Sequence, residues 1–154
     1  MKNVVAKMSL LAVMIVIAAS VSANGQSLNY RLTANIPFVF SVGGQKLPAG
    51  KYWISRAQPS SGDLVIQIRS TDGHSNITRL TIPKSGFDPV ETSSLVFNRY
   101  GDEYFLSEIW VAGGVTGREL TKSRAERELA RKTQDNGIAA FNAPDVKTVT
   151  IQAN

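Results

Sequence analysis

The nearest set of acids in the chain is Asp102, Glu103, Glu108 and Glu119, and two carboxyl groups flanking a sugar bond are what glycoside hydrolysis requires. Adjacent Asp102 and Glu103 project differently at a turn, and no spacing in the sequence sets a second acid opposite them. Hydrolysis by Asp/Glu residues, as in a glycosidase, is therefore the alternative reading. The same region, LVFNRYGDEYFLSEIW at 95–110, gathers five aromatic side chains and Arg99 around a single glycine. Aromatic residues and arginine are favoured at recognition surfaces. Arg99, Tyr104, Glu108 and Trp110 are the candidate ligand-binding residues, with Arg99 beside Tyr104 the strongest pair.

Other chemistries lack their parts. With no cysteine and His74 as the single histidine, a zinc site of the common kind cannot be assembled within one chain. Gly73-His74-Ser75-Asn76-Ile77 begins like a nucleophile elbow but lacks the closing glycine and the strand-to-helix setting. GGVTGRE at 113–119 lacks the Gly-Lys-Ser/Thr ending of a phosphate loop and reads as a flexible connection. The sequence assigns no catalytic residue, no metal ligand and no cofactor.

These residues must be positioned by elements that begin after a leader. Lys2 and Lys7 precede the uncharged run MSLLAVMIVIAA at 8–19, and Val21-Ser22-Ala23 supplies small residues. That is the layout of a secretory signal peptide, the apolar run being shorter than the roughly 20 residues that span a bilayer. Cleavage is expected after Ala23, giving an exported protein of the periplasm or the exterior with no transmembrane segment in the mature chain. Removing 23 of 154 residues leaves 131, in which 15 basic residues face 12 acidic ones. A net charge of +3 is too weak an excess to indicate a nucleic-acid partner. The mature chain is cysteine-free, so its stability must come from packing and strand pairing rather than disulfides.

The mature chain reads as short strands divided by turn residues. Ile36, Phe38, Phe40 and Val42 alternate on one face, and Gly43-Gly44 ends that run. LPAG leads into Tyr52, Trp53 and Ile54, and the two runs are expected to form a hairpin. Leu64, Ile66 and Ile68 alternate in the next segment, Asp72-Gly73 signals a turn, and NITRLTIP at 76–83 ends in proline. Strands at this spacing predict an all-β fold, an antiparallel β-sandwich or small β-barrel with one short C-terminal helix.

The helix is expected near 121–133. Ser123 and Glu126 have capping-box spacing, Ala125 and Leu129 share a face, and Glu128 and Lys132 are spaced as an ion pair. Asp135-Asn136-Gly137 should stop it. Its basic residues, including Arg118, Lys122, Arg124, Arg127 and Arg131, alternate with acids as on a solvated face. The expected organisation is a signal peptide at 1–23, a β-rich domain at 24–133, and a tail at 134–154 that is either a final strand over Val146 to Ile151 or a loosely held end.

Within the hairpin, Gly101-Asp102 suits a two-residue turn that pairs Tyr100 with Glu103, Arg99 with Tyr104 and Phe97 with Leu106. Leu95, Phe97, Arg99, Tyr104, Leu106, Glu108 and Trp110 then share one face. A three-residue turn would pair Tyr100 with Tyr104 and move one strand's side chains across the sheet. On the first register Arg99 and Glu108 lie on the more apolar face, too far apart to pair, so each needs a partner from elsewhere in the fold or a ligand.

IPFVFSVGGQKLPAGKYWI (36–54), FNRYGDEYFLSEIW (97–110) and GRELTKSRAERELAR (117–131) together resemble a family of small exported acidobacterial proteins. The resemblance implies a secreted β-rich domain and supplies no catalytic residues. The expected function is that of a non-enzymatic exported domain, binding or structural at the cell envelope, whose partner is an envelope component, a small ligand or a protein.

Overall fold

The computed structural model describes residues 31–57, 64–139 and 147–154, so the expected signal peptide and its cleavage point lie outside the described residues. Among the described residues, ten strands and one helix follow in chain order: β1 Arg31–Ile36, β2 Phe40–Val42, β3 Gln45–Leu47, β4 Gly50–Arg56, β5 Val65–Ser70, β6 Asn76–Ser85, β7 Ser94–Tyr100, β8 Glu103–Trp110, β9 Thr116–Leu120, α1 Arg124–Ala139 and β10 Lys147–Gln152. The fold is all-β with one helix, as the alternation implied. No helix among the described residues is long and apolar enough to cross a membrane.

Pairing runs β1-β4-β5-β6-β9-β8, with β7 joining β8 to β10. The Ala34–Ala153 bridge brings β10 back to β1. The Thr33 and Asn154 amides donate to each other's carbonyls there, at 2.7 and 3.0 Å. That isolated bridge is the one link between β10 and β1 among the described residues, in a sheet that is otherwise open and mixed. β6 makes the corner: residues 76–80 pair with β5 and 81–85 with β9.

The inside is filled. Leu32, Ala34, Ile36, Tyr52, Ile54, Ile66, Ile68, Leu95, Phe97 and Ile109 are buried in one core. They are alternate residues of β1, β4, β5, β7 and β8, so period-2 patterning alone accounts for most of this interior. Phe40 sets its ring edge-on to both Tyr52 and Phe97, with centroids 5.2 and 5.5 Å apart.

Three expectations about the strands are corrected. The run from Ile36 to Val42 is two strands, because Pro37 has no amide to continue a ladder: β1 pairs with β4, while β2 turns back on β3 and runs parallel to β8. The β2–β3 turn places Gly43 and Gly44 at φ +57° and +91°, a backbone suited to glycine at both central positions. β6 runs on through Pro83 to Ser85. GGVTGRE is not simply a connection, since Thr116–Leu120 forms β9 between β6 and β8.

The helix also runs past Asp135-Asn136-Gly137, where it was expected to stop. One internal glycine costs about 1 kcal/mol relative to alanine, which weakens a helix without breaking it. Ser123 caps it as expected, its hydroxyl accepting from the Glu126 amide at 3.1 Å. The tail forms β10 along β7.

Candidate functional site

The β7–β8 hairpin closes on Gly101, whose φ is +61°, with the expected register: Tyr100 opposite Glu103, Arg99 opposite Tyr104, Phe97 opposite Leu106. Beyond Leu106 the register shifts. Val96 pairs with Glu108 and Leu95 with Ile109, leaving Ser107 as the extra residue of a β-bulge. A bulge exchanges the faces of everything beyond it. Ile109 therefore enters the core, and Glu108 and Trp110 leave the face that they were expected to share with Arg99 and Tyr104.

The four candidate residues thus form two separate pairs. Arg99 and Tyr104 stand together, the guanidinium carbon 5.3 Å from the ring centroid, with Phe38 stacked on Tyr104 at 4.0 Å. Arg99 was expected to need a partner from outside the hairpin. It finds partners inside it, donating from Nε to the Gly101 carbonyl at 2.7 Å and from Nη2 toward Asp102 at 3.5 Å. Arg99 and Gly101 line a cleft of about 290 Å³ with Thr133 and Lys147.

Glu108 finds the distant partner expected of it. Its Oε1 accepts from Lys84 Nζ of β6, and its Oε2 accepts from the Trp110 indole N–H at 2.8 Å. The hydrogen bond to Glu108 is the largest cause raising the Lys84 ammonium above its ordinary range, with the Glu108 and Glu119 charges adding to it against desolvation. The register also sets Glu108 opposite Glu119 on β9, an adjacency that the sequence spacing did not disclose. These two acids occupy neighbouring strands of one sheet, with Glu108 held by two donors. Trp110 lies against Gly117, where a Cβ would come within 2.7 Å of the ring.

Helix α1 sits near β7. Glu126, 4% exposed, accepts from Asn98 Nδ2 at 3.0 Å instead of reaching back to the cap. Arg124 and Glu128 form the i,i+4 ion pair at 2.9 Å, in place of the Glu128–Lys132 pair expected. Ala125 is exposed while Leu129 is half-buried, and both line a second cleft of about 210 Å³ with Ser41, Gly44, Lys46, Glu103 and Phe105. Lys46 and Glu103 pair across its mouth at 2.7 Å. His74 remains in its turn, highly exposed, 3.3 Å from Asp72.

Sequence reading missed the half of the sheet formed by β1, β4, β5 and β6. None of β1, β4, β5 or β6 contains an acid, whereas β8 and β9 contain Glu103, Glu108 and Glu119. Leu32, Ala34, Tyr52, Ile54, Ile66 and Ile68 point inward, so Arg31, Lys51, Trp53 and Arg69 share the outer face. Thr33, Trp53 and Arg69 stand in one cross-strand row. Arg31 lies over the Trp53 ring, 5.3 Å from its centroid. Among the described residues no acid forms a salt bridge with Arg31, Lys51 or Arg69. Asp72, in the turn after β5, is engaged by Ser70 Oγ at 2.5 Å and the His74 amide at 3.0 Å. Those hydrogen bonds, Ser70 first, lower its carboxyl below the ordinary range.

The available signal was the absence of acids from all six strand segments β1 to β6, together with Trp53, Arg31 and Arg69. Only the register brings those three together. No family model, curated protein or solved structure matches this chain.

Proposed function

We propose that this protein is an exported, non-enzymatic binding domain of the cell envelope, and that it engages an anionic envelope component through the outer face of β1, β4 and β5. The observation that carries this reading is the single-sign surface formed by Arg31, Lys51 and Arg69 around Trp53. Mixed charges on a protein surface satisfy one another. Three cations without an acid among them gain more from an anionic partner than from water alone, and such a patch raises the local concentration of anions. Export rests on the leader at 1–23, and membership of the exported acidobacterial family on the three sequence blocks; both belong to the proposal.

Retention on isolated envelope material tests it. The wild-type protein should be retained and released by salt, as contacts between exposed charges are screened. The Lys51→Glu, Arg69→Glu double variant should pass through unretained while keeping its circular dichroism spectrum. Equal retention of the folded variant would overturn the assignment to this face. N-terminal sequencing of the exported protein should begin at Asn24, and an intact leader would refute cleavage after Ala23.

A further inference from the structure

Resting on that reading of the face, we propose that its partner is an acidic polysaccharide, bound through uronate carboxylates. Arg31 is the centre of the inference. Stacking on Trp53 limits the conformations of a long side chain and leaves the edge of its planar guanidinium free to donate. A guanidinium edge matches a carboxylate in bidentate geometry. Arg69 stands directly across from Trp53, giving a second such fork one strand away. Lys51 lies two residues before Trp53 on the same face, about 7 Å further along the strand, and adds a point charge. The cations therefore form an array, as a polymer of repeated charge requires.

The groups between the cations favour a sugar. Thr33, Ser55 and Gln67 occupy outward positions of the same strands, Asn76 and Thr78 those of the adjoining β6, and Gln67 Nε2 already donates to Asn76 Oδ1 at 3.0 Å. Hydroxyls and amides both donate and accept, which suits a partner rich in hydroxyl groups. A bilayer surface would call for exposed apolar side chains beside the cations. Leu80 is exposed on β6 opposite Val65, four residues along β5 from Arg69, and Ile82, Phe87 and Val115 are exposed on the part of the sheet built on β9 and the loops beside it, so among the described residues the cations have no apolar cluster beside them. A single strand of nucleic acid would call for a series of aromatic platforms, and among the described residues this face has Trp53 alone.

The test uses the exported protein against four probes: polygalacturonate, the same polymer fully methyl-esterified, vesicles of phosphatidylglycerol, and single-stranded DNA. Binding should be confined to polygalacturonate and weaken as salt rises. Arg31→Ala and Arg69→Ala should each weaken it about tenfold or more, as expected on losing a charged hydrogen bond. Arg31→Lys should fail to restore it, because lysine keeps the charge without the fork, while Arg127→Ala on the helix should leave it unchanged. Equal binding of the esterified polymer would overturn the role of the carboxylates. Binding to vesicles or DNA without polygalacturonate would overturn the polysaccharide and leave an anionic face standing. Binding to no probe, together with loss of envelope retention, would overturn both readings. Each variant is first checked for a wild-type unfolding transition.

Discussion

Replacing Gly117 with alanine tests the bulge that divides the candidate residues. A Cβ at Gly117 would lie 2.7, 2.8 and 2.9 Å from Trp110 Cδ2, Cε3 and Cε2, so the indole must move. Gly117 does not have a positive φ among the described glycines, and its backbone accepts alanine. Two effects then oppose each other. Removing glycine from a strand interior favours folding by about 0.5–1 kcal/mol, while forcing an extra carbon into a filled contact costs about 1–3 kcal/mol. The clash should win, with Gly117→Ala destabilising by on the order of 1 kcal/mol. A displaced indole would also lengthen the 2.8 Å bond to Glu108. In a Trp110→Ala background the clash is absent, and the same substitution should become stabilising by about 0.5 kcal/mol. Urea unfolding of the four proteins closes a double-mutant cycle with an expected coupling of about 1–3 kcal/mol. A coupling below about 0.5 kcal/mol would place Trp110 away from Gly117 and refute the face exchange at Ser107.

The other predictions concern the cap and the core. Ser123→Ala should destabilise by about 1 kcal/mol through loss of the N-cap, read as a lower urea midpoint with an unchanged slope; no change would mean that the 3.1 Å contact to the Glu126 amide contributes nothing. Tyr52 is buried and donates to the Pro48 carbonyl at 2.7 Å. Burial first, and then the Asp72 charge, raise its phenol above the usual range against a lowering hydrogen bond from Ser75. The folded pKa lies above the unfolded one, so this contribution is full below an unfolded value of about 10 and is lost as pH rises through the folded value. Urea midpoints across alkaline pH should fall more steeply for wild type than for Tyr52→Phe, and parallel profiles would refute the linkage.

The interior was the most legible feature of the sequence. Ile54, Ile66, Ile68, Leu95 and Phe97 stand at alternate positions and are buried, because period-2 patterning is a local property. The hairpin turn was legible for the same reason, since glycine at residue 101 fixes the register of its nearest neighbours. Ser107 was not. LSEIW has apolar residues at 106, 109 and 110, so strict alternation from Leu106 would send Glu108 and Trp110 inward. The conflict was already visible as a carboxylate on an apolar face. One extra residue resolves it by burying Ile109 and giving Glu108 two donors, at a position set by tertiary packing rather than by local pattern.

The same distinction explains why the basic face escaped a count of charges. A net charge of +3 is a sum over surfaces of unlike composition, and it discards their placement. β1, β4 and β5 are separated in sequence, and the run from 36 to 54 gives no indication that Arg31 belongs beside Trp53. Pro37 diverts the chain into the β2–β3 turn, and the Arg31–Ser55 and Thr33–Trp53 pairings then carry Arg31 to the ring. Of the hairpin residues that looked most like a recognition site, Arg99 is held by the Gly101 carbonyl, and Glu108 by Lys84 and the Trp110 indole. An arginine stacked on a tryptophan, with a second arginine across the strand and no acid in the same rows, still has donors to offer. That difference in satisfaction, rather than the density of aromatic residues, moves the proposed site from Arg99 to Arg31.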